Sequence, residues 1–219
     1  MLFRFFSPAL VAMLLASCGN DVAVVSKERA MRGGASTGTT GNHYTARGPY
    51  TTAHPSPSVI AAGHQKRKDK HGMPYYSNER VRHVRTTAYT CSESDHLEYG
   101  SMNAAGTPLR YSSNVISAAA DWSVYPIGTT FRIKGMKPLF VVDDYGSALV
   151  GTNTIDIYTP SKSHMRAWGR RNVEISVVRW GSYARSAELL SGRTGHSHCR
   201  QMYTSIKRKV NSGQATVMR

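Results

Sequence analysis

Six short β-prone runs follow one another between Val84 and Trp180: VRTTAYT (84–90), NVISAAA (114–120), TTFRIKG (129–135), PLFVVDD (138–144), TIDIY (154–158) and VEISVVRW (173–180). Each is bounded by Gly, Pro, Asn or Ser, the residues that end strands and build turns. So many short strands in roughly 95 residues predict a mainly β domain, either a closed barrel or a sandwich. One short helix is predicted between the last two strands. Thr159-Pro160-Ser161 supplies its start, SKSHMRAW its body and Gly169 its stop.

The flanks have a different composition. Residues 19–85 carry eleven Lys/Arg against four Asp/Glu, residues 86–178 eight of each, and residues 179–219 eight against one. The net charge of +15 therefore belongs to the flanks, and the strand-rich middle is neutral. Residues 1–17 read as a signal peptide, with Arg4, an apolar run too short to span a bilayer, and small residues before Cys18. Leu15-Ala16-Ser17-Cys18 resembles a lipobox, so Cys18 is the expected lipidation site; an ordinary signal peptide with an incidental cysteine is the alternative. Gly19 after it favours the outer membrane, with the protein facing the periplasm. Residues 33–72, rich in Gly, Ser, Thr, Pro and His, lack an apolar period and read as a disordered tether within a basic linker over 18–83. KRKDK at 66–70 fits a solvated linker or contact with an anionic wall or membrane surface better than nucleic acid, which an exported protein seldom meets. The tail, 181–219, is basic and partly helical, with SYARSAELL and CRQMYTSIKRKV as its helix-compatible stretches. Pairing of Cys91 with Cys199 is left open beside two separate thiols. His196-Ser197-His198-Cys199 has too few ligands for a metal site, so no metal or cofactor is assigned.

Carboxylates are the chemically suggestive residues of the middle. Asp121 ends VISAAAD, Asp143 and Asp144 end LFVV, and Asp156 interrupts TIDIY. Asp is disfavoured in strands. A carboxyl at 156 must be paired, hydrogen-bonded or kept protonated, and protonation is what a general acid requires. Asp143 fits a plain turn role.

The series Thr87-Ala88-Tyr89-Thr90, Ala120-Asp121, Tyr125-Pro126-Ile127-Gly128-Thr129, Asp144-Tyr145-Gly146-Ser147-Ala148-Leu149-Val150-Gly151, Ile155-Asp156-Ile157-Tyr158 and Ala167-Trp168-Gly169-Arg170-Arg171 resembles, in order, the three-aspartate (3D) domain. Over 84–180 the chain is similar to the double-psi β-barrel of the membrane-bound lytic transglycosylase A type. The resemblance implies a six-stranded double-psi β-barrel with a groove for peptidoglycan glycan strands. It also implies lytic cleavage of the bond between N-acetylmuramic acid and N-acetylglucosamine, in which the muramic 6-hydroxyl attacks its own anomeric carbon and leaves a 1,6-anhydro end. Such chemistry needs one acid and base where hydrolysis needs two carboxylates.

By the same resemblance Asp156 is the catalytic aspartate, Asp144 its supporting neighbour and Asp121 the third. An ionised Asp144 would help keep Asp156 protonated by like-charge repulsion. Gly146 and Gly151 are expected to allow a tight turn and close approach to sugar. Tyr89 is a candidate for stacking on a sugar ring, with packing as its other reading, and Trp168 is expected to pack the helix on the barrel. Val150 stands where related domains often carry Lys. No second domain fits between Val84 and Trp180, so one side of the groove is expected to lack a wall. The alternatives are a non-catalytic glycan-binding or wall-loosening module, and a β-1,4-glucan hydrolase.

Overall fold

The computed structural model describes residues 50–91 and 100–214; the signal peptide, Cys18 and the linker up to residue 49 lie outside the described residues. Six strands appear close to where the sequence places them: β1 (Val81–Tyr89), β2 (Val115–Ala119), β3 (Thr130–Ile133), β4 (Leu139–Asp144), β5 (Thr154–Tyr158) and β6 (Arg171–Arg179). They close into a barrel in the order β1-β5-β2-β4-β3-β6, which selects the barrel over the sandwich. β1 runs parallel to β5 and β2 parallel to β4, while the remaining pairs are antiparallel.

The two-residue period of the strands fills the barrel. Val84, Ile116, Ala118, Phe131, Ile133, Phe140, Val142, Ile155, Ile157, Val173, Ile175 and Val177 share one buried cluster. Phe131 and Phe140, register partners on β3 and β4, stack with centroids 5.3 Å apart. The predicted short helix is α2 (Lys162–Trp168), counted after α1 (Pro57–His64). The Ser161 side chain caps its start by accepting from the His164 N–H, and Gly169 ends it at φ 62°. Trp168 packs as expected: it is buried, with the Tyr50 ring 5.0 Å away edge-on.

The expectation of a disordered tether is corrected for residues 50–72. Tyr50 joins the barrel core, and α1 is preceded by Ser56, whose N–H donates to Glu174 of β6 at 2.6 Å. Asp69, read as one charge within a solvated KRKDK run, is buried. Its Oδ1 accepts from the N–H groups of His71 and Met73 at 2.8 and 2.9 Å, and its Oδ2 from the N–H of Asn153 at 2.7 Å. The Asn153 side chain in turn donates to the Pro74 carbonyl and accepts from the Tyr125 hydroxyl. This segment is ordered by polar pairing and not by an apolar stripe, so hydrophobic periodicity could not reveal it.

Arg82 of β1 lies fully buried against Tyr76, Tyr125 and Trp180, its guanidinium 5.4, 5.2 and 4.7 Å from their centroids. It donates to the carbonyls of Glu79 and Ser77. An arginine cannot shed its charge, so the aromatic faces and carbonyls must replace water around it.

The tail folds as two helices, α3 (Tyr183–Ser191) and α4 (Ser197–Asn211). α4 buries Cys199, Met202 and Ile206, on one face at helical spacing, leaves Arg200, Lys207 and Arg208 exposed, and turns Lys209 back to donate to the Ser123 carbonyl. Between β6 and α3 a Cβ on Gly181 would lie 2.1 Å from the Ile127 carbonyl oxygen, so only glycine lets the tail turn back onto the barrel. Among the described residues no helix is long and apolar enough to cross a membrane.

Replacing Asp69 by Ala strands three backbone donors, two of them on the N-terminal segment and one on the loop before β5. The expected cost is roughly 2–4 kcal/mol of stability, read from denaturant midpoints. A loss below about 0.5 kcal/mol would mean that the segment contributes nothing to the barrel's stability.

Candidate functional site

The central feature is one row of side chains across four strands. Ile155 and Ile157 point into the core, so Asp156 between them points outward. Its register partners are Thr87 on β1 and Ala119 on β2, and Ala119 is also in register with Asp144 on β4. Cross-strand partners share a face, so Thr87, Asp156, Ala119 and Asp144 form a single outward row. With neighbouring strands ~4.8 Å apart, the two aspartate backbones stand about 10 Å apart, with only a methyl group between them. Thr87 Oγ1 donates to Asp156 Oδ1 at 2.7 Å.

Strict alternation would have buried Asp144. Phe140 and Val142 face inward, so Asp143 should face outward and Asp144 inward. The register instead passes from Ala118 opposite Val142 to Ala119 opposite Asp144, leaving Asp143 as an extra residue. This β-bulge restores the outward direction at Asp144. The Asp144 carbonyl accepts from Trp122 Nε1 at 2.9 Å and from the Ala120 N–H at 3.1 Å, which pins the bulge.

Its carboxyl is equally well held. Oδ1 accepts from the N–H groups of Ala104 and Tyr145 at 3.1 and 2.9 Å, and Oδ2 from the Tyr89 hydroxyl at 3.0 Å. The Tyr89 hydroxyl is raised well above the usual tyrosine range by burial and then by the nearby Asp144 charge, so it remains a donor. Tyr89 is only 5% exposed, packs against Tyr158 and orients Asp144 through its hydroxyl.

These residues line an open groove of about 810 Å³, with Ala88, Tyr89, Ala119, Asp144 and Asp156 on the barrel side and Gly146–Leu149 along one rim. Gly146 lies here as expected, but its φ of −140° is ordinary extended backbone, so no tight turn requires glycine. Gly151, expected to allow close approach to sugar, and Asp121, the third aspartate, are not among the groove residues. Asp121 is buried; its carboxylate accepts from the N–H groups of Ser123 and Gly151, both at 2.8 Å. Burial raises the Asp121 carboxyl and these donors pull it back. Gly151, at φ 74°, does need to be glycine, but it serves this internal bond.

The other side of the groove is built by residues that the strand pattern could not indicate. Arg193, His196 and His198 line it from the junction of α3 and α4, and Asn103 and Ala104 from the loop before β2. The wall expected to be missing is thus supplied by the C-terminal tail. The HSHC run was the available signal, but its members diverge. His196 and His198 line the groove, whereas Cys199 is buried and donates to the Tyr145 hydroxyl at 3.3 Å. Burial and this contact push Tyr145 up to about 12. Burial, then the charge on His196, lowers His198. Among the described residues no three His, Cys, Asp or Glu side chains cluster for a metal. Cys91 is not joined to Cys199; its sulfur accepts from the Tyr158 hydroxyl.

Residues 116–179, a span that includes Asp144 and Asp156, match the model of the 3D domain family. Two curated relatives come from Bacillus subtilis. YabE, provisionally named a cell wall shaping protein, is 33% identical over 102 residues, which cover 47% of this chain and 24% of YabE. YocH, named a cell wall-binding protein, is 32% identical over 95 residues, covering 43% of this chain and 31% of YocH. The chain therefore spans a quarter to a third of these relatives. Among solved structures it is similar to MltA from Escherichia coli, described as having a lytic transglycosylase fold. That match has 25% identity and a TM-score of 0.29, covering 37% of this chain and 28% of MltA. A variant of MltA matches at 24% identity and a TM-score of 0.30, with the same coverage.

Asp143, the residue displaced by the bulge, carries a measurable consequence. Its Oδ2 accepts from Ser117 Oγ at 2.7 Å, while Oδ1 is buried without a donor. Burial pushes the carboxyl up to about 6 from an ordinary 3.8, although Ser117 and Arg110 act in the opposite direction. A carboxyl raised in this way holds its proton more tightly in the folded than in the unfolded chain. Its contribution is most favourable below the unfolded value of 3.8 and is lost as pH rises through about 6. Asp143→Asn should therefore be more stable than wild type by roughly 1–3 kcal/mol at about pH 8, with the gain fading towards about pH 4. Urea midpoints across that range measure it, and a gain independent of pH would contradict the assignment.

Proposed function

We propose that this chain binds peptidoglycan glycan strands in the groove and cleaves them as a lytic transglycosylase. The observation that carries this reading is the outward row in which Asp156 and Asp144 face one groove across Ala119. Asp156 reaches the groove, where it can give a proton to the departing glycosidic oxygen, and the Thr87 hydroxyl holds its carboxyl in place. It then takes the proton of the muramic 6-hydroxyl as that oxygen closes on the anomeric carbon. Asp144, supplied with donors on both oxygens, serves as a fixed negative charge for the positive character that builds on the sugar ring. The charge on Asp144 also disfavours a second negative charge on Asp156, which suits an acid.

The 3D match over 116–179 and the cell wall names of both relatives support a peptidoglycan substrate. The name of YocH favours one second reading, glycan binding without cleavage. Anchoring through a lipid on Cys18, at the outer membrane and facing the periplasm, belongs to the same proposal and is supported by the leader and its LASC sequence.

Incubating the full chain with purified sacculi and analysing the released ends by mass spectrometry separates these readings. Anhydro-muramic ends are expected, and Asp156→Asn should slow their release about 100-fold or more. Anhydro release by that variant at the wild-type rate would remove Asp156 from the reaction. Reducing ends would indicate hydrolysis, and binding without release would indicate a binding module. Palmitate labelling that persists in Cys18→Ala would count against the anchor.

A further inference from the structure

Arg193 holds a position that the proposed chemistry does not use. Its Nη1 donates to the Ala104 carbonyl at 2.9 Å and to the Tyr145 hydroxyl at 3.3 Å, and the guanidinium lies 5.9 Å from the Tyr145 ring centroid. The half-buried group is thus anchored on one nitrogen at the groove wall. Among the described residues Nε and Nη2 have no acceptor, and no carboxylate forms an ion pair with Arg193. Those two nitrogens form the side-on edge of the guanidinium, whose parallel N–H groups match the two oxygens of a carboxylate.

Asp144 is not that carboxylate, because its oxygens are already engaged by Tyr89, Ala104 and Tyr145. A single peptide residue separates the two groups: Ala104 gives its N–H to Asp144 and its carbonyl to Arg193. The groove therefore has carboxyls on its barrel side and a guanidinium on its helical side, held apart by one loop. A neutral sugar polymer offers a carboxylate nowhere along its length. A glycan with an acidic substituent on alternate sugars does.

We propose that the Nε and Nη2 edge of Arg193 is a subsite for a carboxylate carried on the lactyl or peptide substituent of the glycan, giving the groove a preference for acidic over neutral sugars. The inference deepens the glycan-groove reading and rests on it. His196 and His198 line the same wall.

The test uses the full chain and four probes: N-acetylmuramic acid, its methyl ester, the muramoyl dipeptide with its carboxylate on the peptide, and N-acetylglucosamine. Binding is followed by titration, with the Arg193 Nε–H resonance observed by NMR. At least one carboxylate-bearing probe should bind about tenfold more tightly than the ester and N-acetylglucosamine and should move the Nε–H signal, as expected for a charge-assisted pair. Preference for the muramic acid identifies the lactyl group as the source, and preference for the dipeptide identifies the peptide. Arg193→Gln should bring the acid-to-ester ratio to about one, and Arg193→Lys should keep only part of it, because an ammonium lacks the fork. Near-UV circular dichroism checks that both variants fold. Failure of both carboxylate-bearing probes to bind more tightly than the ester in wild type would overturn the proposal, as would a preference that survives in both variants. Sacculi digestion in parallel keeps the two readings apart. An acid preference without anhydro ends would leave the subsite and remove the catalysis; anhydro ends without acid preference would do the reverse.

Discussion

The additional residue in β4 turns Asp144 out of the core, and the hydrogen bonds from Trp122 and Ala120 to the Asp144 carbonyl keep it there. The rest of the groove depends on that shift. Tyr89 and Ala104 can reach the carboxyl because it lies on their face, and Ala119 can separate it from Asp156 because the register resumes one residue later. The shift also confines Asp143 to a position where one oxygen is left without a donor, so the unmet hydrogen bond falls on the residue beside the site and not on the site itself.

The barrel was legible because its strands obey the simplest rule available, alternation of inward apolar residues between turn formers. Asp156 was legible for the complementary reason, that a carboxylate amid Ile155 and Ile157 breaks that rule. Asp144 was found by resemblance, whereas the reason it faces the groove was not visible, since a bulge is a property of two paired strands and not of one. The hydrogen bonds of Asp121, Gly151 and Tyr89 were not visible for a related reason: each joins residues distant in sequence, Gly151 to Asp121 and Tyr89 to Asp144. The segment from Tyr50 to Arg80 escaped notice because Asp69 and Asn153 organise it through backbone donors, which leave no periodic trace.

The tail changes the meaning of the compact barrel. A barrel alone presents one lined face, and binding a polymer on one face leaves the polymer open to water. By folding α3 and α4 back past Gly181, the chain adds an opposing surface within the same polypeptide, and the electrostatic contrast between the two sides arises from parts of the sequence more than thirty residues apart. The basic flank that seemed to serve only attraction to anionic surfaces therefore contributes at least one side chain to the groove itself.

Arg82 has a consequence for how the molecule assembles. Its shell is drawn from the segment before β1, from the loop after β2 and from the end of β6, through Tyr76, Tyr125 and Trp180. A guanidinium keeps its charge at every stage of folding, so a partly closed barrel either leaves it in water, forgoing the cage, or encloses it with an incomplete set of partners at a cost of several kcal/mol. Both arrangements raise the free energy of intermediates relative to the two end states. Closure of the barrel, docking of the N-terminal segment and arrival of the chain end beyond β6 are thereby bound into one cooperative transition.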